Sequence, residues 1–151
     1  MGRRAMVMGA VLALLWPAGP ARADTAVGLG AAKAIDGEPA HVLTLAWRSE
    51  QRHPWELMLG YIAQRDYAGR APLSDALLLA ASKRFTWRGW FASGGVAWVS
   101  EDNEVLSGHG QFLTAAGWRG RRWSVSLRHL SNGDTHGRNR GETFLLLERA
   151  F

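Results

Sequence analysis

The chain has 151 residues, with 18 basic and 13 acidic side chains and no cysteine. This length fits one domain and excludes a multidomain protein, and the lack of cysteine excludes disulfides as a source of stability. Three of the 18 basic residues lie within the first 23 positions, which leaves 15 against 13 and a charge of +2 for the rest of the chain. So small an excess gives little support for nucleic-acid binding.

The first predicted element is a secretory signal peptide. A positive start (Arg3, Arg4) precedes an apolar run of about a dozen residues, and Ala21-Arg22-Ala23 fits the A-x-A pattern of a cleavage site. The apolar run is shorter than the roughly 20 residues that a transmembrane helix needs. We therefore predict a signal peptide over 1–23 and a single mature domain over 24–151.

The mature chain divides into short segments rich in Trp, Leu, Val and Ala, separated by Gly, Asp, Asn, Ser, Pro and Arg. Several segments alternate: Trp123, Val125 and Leu127 are apolar, whereas the residues between them are polar. This is the period of a β-strand. The eight predicted strands are 25–35, 40–48, 54–64, 75–84, 88–100, 110–118, 121–131 and 142–151.

An even number of ten-residue strands, each with one apolar and one mixed face, predicts an eight-stranded antiparallel transmembrane β-barrel. Only a closed sheet satisfies every backbone polar group in lipid. Seven tryptophans follow residue 23, several near segment ends, as interfacial girdles require. The final aromatic residue, Phe151, is similar to the ending of many Gram-negative outer-membrane barrels. On periodicity alone, a soluble β-sandwich or lipocalin-like barrel with core tryptophans remains an alternative.

With both termini in the periplasm, successive connections between strands alternate between the two sides of the membrane. The connections expected outside are 36–39, 65–74, 101–109 and 132–141, and the tight turns expected in the periplasm are 49–53, 85–87 and 119–120. The longer and more polar connections then lie outside, which is the general pattern of these barrels.

The last predicted hairpin carries groups that could do chemistry. His129 and Ser131 are two residues apart on a strand, so an imidazole and a hydroxyl share one side. If the hairpin folds symmetrically about residues 135 and 136, Glu142 lies opposite His129 with Cβ atoms about 5 Å apart. The same register sets Phe151 opposite Gly120. A nucleophile, a base and an orienting carboxylate would then meet, as in serine hydrolases.

Each of these residues also has a simple structural explanation. A His-x-Ser pair arises by chance, Glu142 could be a solvated loop acid, and Asn132-Gly133 could be a turn dipeptide. However, His129 and Ser131 continue the apolar face of their strand, which in a membrane barrel faces lipid. Polar groups facing lipid are energetically costly and usually functional. The occurrence of His129, Ser131 and Glu142 on one hairpin therefore indicates a site.

The run His129-x-Ser131-Asn132-Gly133, followed by Asn139-x-Gly141-Glu142 and a terminal Phe151, resembles the C-terminal motif of the PagL-type lipid A 3-O-deacylases. The resemblance covers about 25 residues. It implies an enzyme in the outer membrane that hydrolyses the 3-position acyl ester of lipid A through a Ser-His-Glu triad, without a metal.

By this resemblance, Ser131 is the nucleophile, His129 the general base and Glu142 the orienting carboxylate. The implied oxyanion donors are Asn132 and the backbone N–H of Gly133, supported by Asn139. The three arginines beside the motif could contact substrate phosphates: Arg128, Arg138 and Arg140.

The implied partners are lipid A, as part of lipopolysaccharide, and the lipids of the outer membrane. We expect no nucleic acid, no organic cofactor and no metal, since the remaining histidines are scattered. The sequence is compatible with a homodimer. Two alternatives stay open: a small non-catalytic barrel for binding or adhesion, and an outer-membrane phospholipase or general esterase.

Overall fold

The computed structural model describes residues 24–34, 37–67, 69–135, 137 and 140–151, so the predicted signal peptide lies outside the described part. Eight antiparallel strands close into one barrel, in which each strand pairs with its neighbours in the chain and β8 pairs with β1. The strands are β1 (Asp24–Lys33), β2 (Ala40–Arg48), β3 (Trp55–Ile62), β4 (Ala76–Trp87), β5 (Trp90–Val99), β6 (Gly110–Arg119), β7 (Trp123–Ser131) and β8 (Glu142–Ala150). The predicted eight-stranded antiparallel barrel is confirmed.

The predicted strand boundaries agree with these to within three residues, but one predicted turn is wrong. Residues 85–87 belong to β4, and the β4–β5 turn consists of Arg88 and Gly89, with φ of 47° and 86°. Two consecutive residues with positive φ form the type I′ hairpin turn, whose twist matches that of the flanking strands. An Arg-Gly pair lacks the Asn or Asp that usually signals this turn, so sequence reading ended the strand early.

The outer surface of the barrel is apolar. All seven tryptophans of the described part are between 43% and 64% exposed, and leucine, valine and phenylalanine side chains lie among them. So large an exposed apolar surface is unfavourable in water and fits contact with lipid. The alternative of a soluble barrel or sandwich with tryptophans in its core is therefore wrong. No helix of the described residues is long and apolar enough to cross a membrane.

The barrel has two different ends. The connections β2–β3, β4–β5 and β6–β7 are short and define the turn end, where Asp24 and Ala150 also lie. The other four connections define the loop end. Three of them, β3–β4, β5–β6 and β7–β8, are longer, whereas β1–β2 has six residues, as many as β2–β3. An isolated bridge between Gly37 and Tyr67 joins the β1–β2 and β3–β4 connections at the loop end, and a second bridge, between Arg65 and Leu73, lies within the β3–β4 connection.

The interior is filled by side chains, as expected for eight strands. Towards the loop end it is an apolar core that includes Val42, Leu78, Leu130, Phe144 and Leu146.

Towards the turn end the interior holds a buried charge cluster, which comprises Arg48, Glu56, Arg84, Arg128 and Glu148. Arg48 pairs with Glu56 (2.8 Å) and Glu148 (2.7 Å), and Arg128 pairs with the same two carboxylates (2.6 and 3.1 Å). Each carboxylate lies between arginines, which offsets the cost of burying its charge. The predicted contact of Arg128 with substrate phosphates is wrong, because this side chain is fully buried in the lumen.

Candidate active site

His129 and Ser131 lie together on the outer surface at the loop end of β7. Buried and exposed residues alternate along this strand, and His129 is exposed while Ser131 is half-buried. The neighbouring outward residues are Thr114 on β6 and Thr143 on β8, which pair with His129 across the sheet. The strand period thus puts both side chains on the lipid-facing side, as the sequence predicted.

The predicted register of the last hairpin is wrong by one residue. Leu130, and not His129, pairs with Glu142, and the same register runs down to the pair Trp123 and Arg149. Phe151 is consequently not opposite Gly120, since the N–H of Ala150 bonds to the carbonyl of Arg122. A slip of one residue moves every side chain of a strand to the other face.

Glu142 therefore points into the lumen and not towards His129. It is 1% exposed and forms a two-pronged ion pair with Arg65, from the β3–β4 connection, with Nη1 2.5 Å from Oε1 and Nη2 on Oε2. Its carboxylate cannot orient the imidazole from there. The predicted Ser-His-Glu geometry is wrong in its third member.

Thr143 occupies the place that Glu142 was expected to fill. Its hydroxyl Oγ1 lies 3.0 Å from Nδ1 of His129, which is hydrogen-bond distance. If Nδ1 carries the proton, Nδ1–H donates a hydrogen bond to the threonine oxygen, and the unprotonated Nε2 can act as a base. A hydroxyl can hold the ring in this tautomer, but it brings no negative charge to stabilise an imidazolium.

Gly141 makes room for the imidazole, and sequence reasoning gave it no role. It has a φ of 67°, and a Cβ atom there would lie 2.6 Å from Cε1 and 2.8 Å from Nε2 of His129. The Nε2 edge of the ring thus lies over the bare Cα. Continuing the register by one pair sets Gly141 opposite Ser131, so Nε2 is directed to the level of the hydroxyl. The glycine of the Asn-x-Gly-Glu run was the signal for this position.

Gly133 presents its backbone amide to Ser131. The N–H donates to Ser131 Oγ at 3.2 Å, and the residue has a φ of 63°. A Cβ atom there would lie 2.9 Å from the ring of Phe112, an outward residue of β6 that pairs with Ser131. The amide of Gly133 is thus hydrogen-bonded to the oxygen that would attack a carbonyl, and to act as an oxyanion donor it would have to leave Ser131 Oγ for the carbonyl oxygen of the substrate.

Asn132 faces the other way. It is 2% exposed, its Nδ2 donates to the carbonyl of Ser107 at 2.9 Å, and its Oδ1 accepts from the N–H of Asp134 at 3.0 Å. The bond to Ser107 ties the β7–β8 connection to the β5–β6 connection, and the bond from Asp134 lies within the β7–β8 connection. The expectation that this side chain binds a substrate oxyanion does not fit its inward placement.

Of the three remaining predicted residues, the structure describes only Arg140. Arg140 bonds to the hydroxyl of Tyr67 and lies over its ring at 5.9 Å, so it braces the loop end. Arg138 and Asn139 lie outside the described residues. Across the described ranges, no group of three or more His, Asp and Glu side chains could hold a metal ion.

No protein-family model and no curated protein matches the chain. A solved structure described as "Crystal structure of the outer membrane enzyme PagL" is similar to it, with a TM-score of 0.59 over 85% of this chain and 98% of the other. This barrel has the fold of PagL. The two sequences are 15% identical over the match, so the likeness to PagL establishes the architecture and leaves the activity to be argued from the site.

Proposed function

We propose that the protein is an outer-membrane esterase that removes the 3-position acyl chain of lipid A, with Ser131 as nucleophile and His129 as base. The observation that carries the proposal is the pair's position: an imidazole and a hydroxyl on the outer, lipid-facing wall, within a motif that resembles the PagL-type deacylases. Polar groups on such a surface are rare unless they act on something there. The shared fold with an outer-membrane enzyme supports the same conclusion.

The shape of the barrel supports a substrate that arrives from the side. Interior side chains fill the lumen, so a lipid with several acyl chains has no path through it. With the signal peptide removed and both ends of the mature domain in the periplasm, the loop end faces the outside. Ser131 then lies at the outer leaflet, where lipid A resides.

The proposed reaction is acyl transfer in two steps. Ser131 Oγ attacks the ester carbonyl while its proton passes to Nε2 of His129, and the negative oxygen is stabilised by the N–H of Gly133. The tetrahedral intermediate collapses, the sugar oxygen leaves with the proton from His129, and the acyl chain stays on Ser131. Water, deprotonated by His129, then releases the fatty acid and restores the hydroxyl.

The proposal differs from a Ser-His-Glu triad in what holds the base. Thr143 contacts Nδ1, and Glu142 is paired with Arg65 in the lumen. In serine hydrolases, loss of the orienting carboxylate lowers turnover by about 10⁴, while the remaining pair and the oxyanion donors still catalyse. We therefore propose a Ser-His dyad with a neutral orienting hydroxyl and a modest turnover.

The test is the mass spectrum of lipid A from a Gram-negative host without such an activity, expressing the wild type or Ser131→Ala. The wild type should produce lipid A lacking one 3-linked acyl chain, and the variant should leave lipid A intact. Ser74→Ala is the matched control, because Ser74 is an exposed serine at the same end of the barrel. Folding of each protein is checked by the shift of the unheated band in electrophoresis. Unchanged deacylation by folded Ser131→Ala would refute the proposal.

One observation favours a second candidate, a non-catalytic binding barrel. Glu142 is paired with Arg65 inside the lumen, and Thr143 offers His129 only a neutral hydroxyl in place of a carboxylate. Under this alternative, folded wild type leaves lipid A and phospholipids unchanged in the same spectra. If phospholipids lose a chain instead of lipid A, the protein is a phospholipase on the same scaffold.

A further inference from the structure

A second feature lies on the outer surface at the turn end, at the opposite end of the barrel from Ser131. An open groove of about 550 Å³ is lined by Trp118, Gly120, Arg121, Arg122 and Trp123, which surround the β6–β7 turn. Its volume is within the range of ligand-binding clefts. The groove combines two indole walls with two guanidinium groups and takes no part in the proposed hydrolysis.

The walls of the groove are held in place by their neighbours. A Cβ atom at Gly120 would lie 2.9 Å from the ring of Trp118, and one at Gly89 would lie 3.0 Å from its Nε1. The indole of Trp118 thus packs against two glycines, which are the residues that allow so close an approach. On the other wall, the guanidinium of Arg149 lies 5.6 Å from the ring centre of Trp123. The groove is therefore built before any ligand arrives.

No acidic side chain among the described residues forms an ion pair with the arginines of the groove. Arg121 and Arg122 are exposed, and neither forms an ion pair with another described residue. The adjacent Arg119 differs, because it pairs with Asp24 at 2.5 Å. Two arginines that line the same groove suit a phosphate, to which arginine can donate two parallel hydrogen bonds.

We propose that this groove binds an anionic glycerophospholipid, with its phosphate on Arg121 and Arg122 and its acyl chains along Trp118 and Trp123. A lipid fits better than a soluble phosphate because the indole walls continue into the apolar outer surface of β7. In the membrane orientation proposed above, the groove meets the periplasmic leaflet, where glycerophospholipids lie. Juxtamembrane basic residues attract such lipids at a bilayer surface.

The test is native mass spectrometry of the full mature barrel in detergent micelles, titrated with phosphatidylglycerol or with phosphatidylcholine of the same acyl chains. The wild type should retain one phosphatidylglycerol more tightly than phosphatidylcholine. Each arginine near an anionic surface contributes roughly a 5-fold gain in binding, so the double variant Arg121→Gln/Arg122→Gln should bind phosphatidylglycerol roughly 25-fold more weakly. Its binding of phosphatidylcholine should not change.

The matched control is Arg52→Gln/Arg88→Gln, which removes two exposed positive charges from the same end of the barrel but outside the groove. It should keep the preference for phosphatidylglycerol. If both double variants bound phosphatidylglycerol equally weakly, the proposal would be overturned, because the effect would then follow from net charge and not from the groove. Displacement of the lipid by millimolar inorganic phosphate would also overturn it.

A variant without a charge change tests the shape of the groove. Gly120→Ala puts a Cβ atom against the ring of Trp118 and should push the indole out of position. We expect a weaker preference for phosphatidylglycerol although both arginines remain, with folding confirmed by the electrophoretic shift. An unchanged preference in the folded variant would contradict a built groove. None of these measurements depends on esterase activity.

Discussion

Replacing Glu142 by leucine should destabilise the barrel, because this carboxylate is the counter-charge of a buried arginine. Glu142 is 1% exposed and Arg65 is 7% exposed, and the guanidinium makes both of its short contacts to the one carboxylate. Arg65 also donates to the carbonyl of Ala32, but this hydrogen bond is long at 3.5 Å. Breaking a buried pair by removing one partner typically costs about 3–5 kcal/mol.

The measurement is a urea titration of the barrel in phosphatidylcholine vesicles, followed by tryptophan fluorescence. With a slope of roughly 1–3 kcal/mol per M of urea, the lost stability should lower the unfolding midpoint by one to several M. The double variant Arg65→Met/Glu142→Leu should recover most of it, because well-packed apolar residues replace a buried pair with little loss. Glu104→Leu is the control, since its partner Arg70 and the glutamate are both exposed and such pairs contribute less than about 1 kcal/mol.

The result that would refute this reasoning concerns activity as well as stability. If Glu142→Leu and the double variant unfold like the wild type but both lose deacylation, the carboxylate acts on His129 and the inward register is wrong. If both keep deacylation once folded, Glu142 is a structural residue. The two readouts thus separate a catalytic from an architectural role for the same side chain.

Three further substitutions test the site and the interior. Thr143→Glu replaces the neutral partner of His129 Nδ1 by a charged one. Because charge-assisted hydrogen bonds are about 1–1.5 kcal/mol stronger, kcat in a lipid A deacylation assay should rise roughly tenfold. An unchanged kcat would argue against proton transfer through His129. Gly141→Ala should displace the imidazole and lower kcat by up to about 10² while the barrel still folds, and full activity would contradict a base at this position. Arg128→Met should lower the urea midpoint of unfolding and leave kcat of the folded protein unchanged. If the variant instead had normal stability but bound lipid A more weakly, Arg128 would contact the substrate after all.

The fold could be predicted from the sequence because alternation is strong in most strands. In the first half of β7 every second residue is apolar, from Trp123 to Leu127, and these side chains face outward in the structure. The register of β8 was harder, since Phe144–Leu147 is a continuous apolar run in which the period of two is hidden. Alternate residues of a strand face the same side, so an outward Glu142 would have turned Phe151, nine residues later, into the lumen. Phe151 is instead exposed, as a terminal aromatic of a membrane barrel should be. An outward Phe151 therefore favours Thr143, eight residues earlier, as the outward neighbour of His129.

Other parts of the site could not be reached from sequence. The partner of Glu142 is Arg65, 77 positions earlier, and it is brought near only by closure of the barrel and by folding of the β3–β4 connection into the lumen. Arg128 seemed to flank the motif because it is adjacent to His129 in the chain. Neighbours on a strand face opposite sides, so proximity in sequence was misleading for this residue.

The uneven placement of the tryptophans indicates how deep Ser131 lies in the membrane. Six of the seven described indoles lie near the turn end, including Trp123 at the start of β7, while Ser131 ends the same strand. Eight residues of strand span about 26 Å, or roughly 20 Å along the barrel axis at a tilt of about 40°. A barrel anchored by these tryptophans at one interface would thus hold Ser131, the proposed nucleophile, just inside the opposite edge of an apolar band about 25 Å tall. That is the height at which the ester linkages of a lipid lie, below its phosphates and above its chain ends.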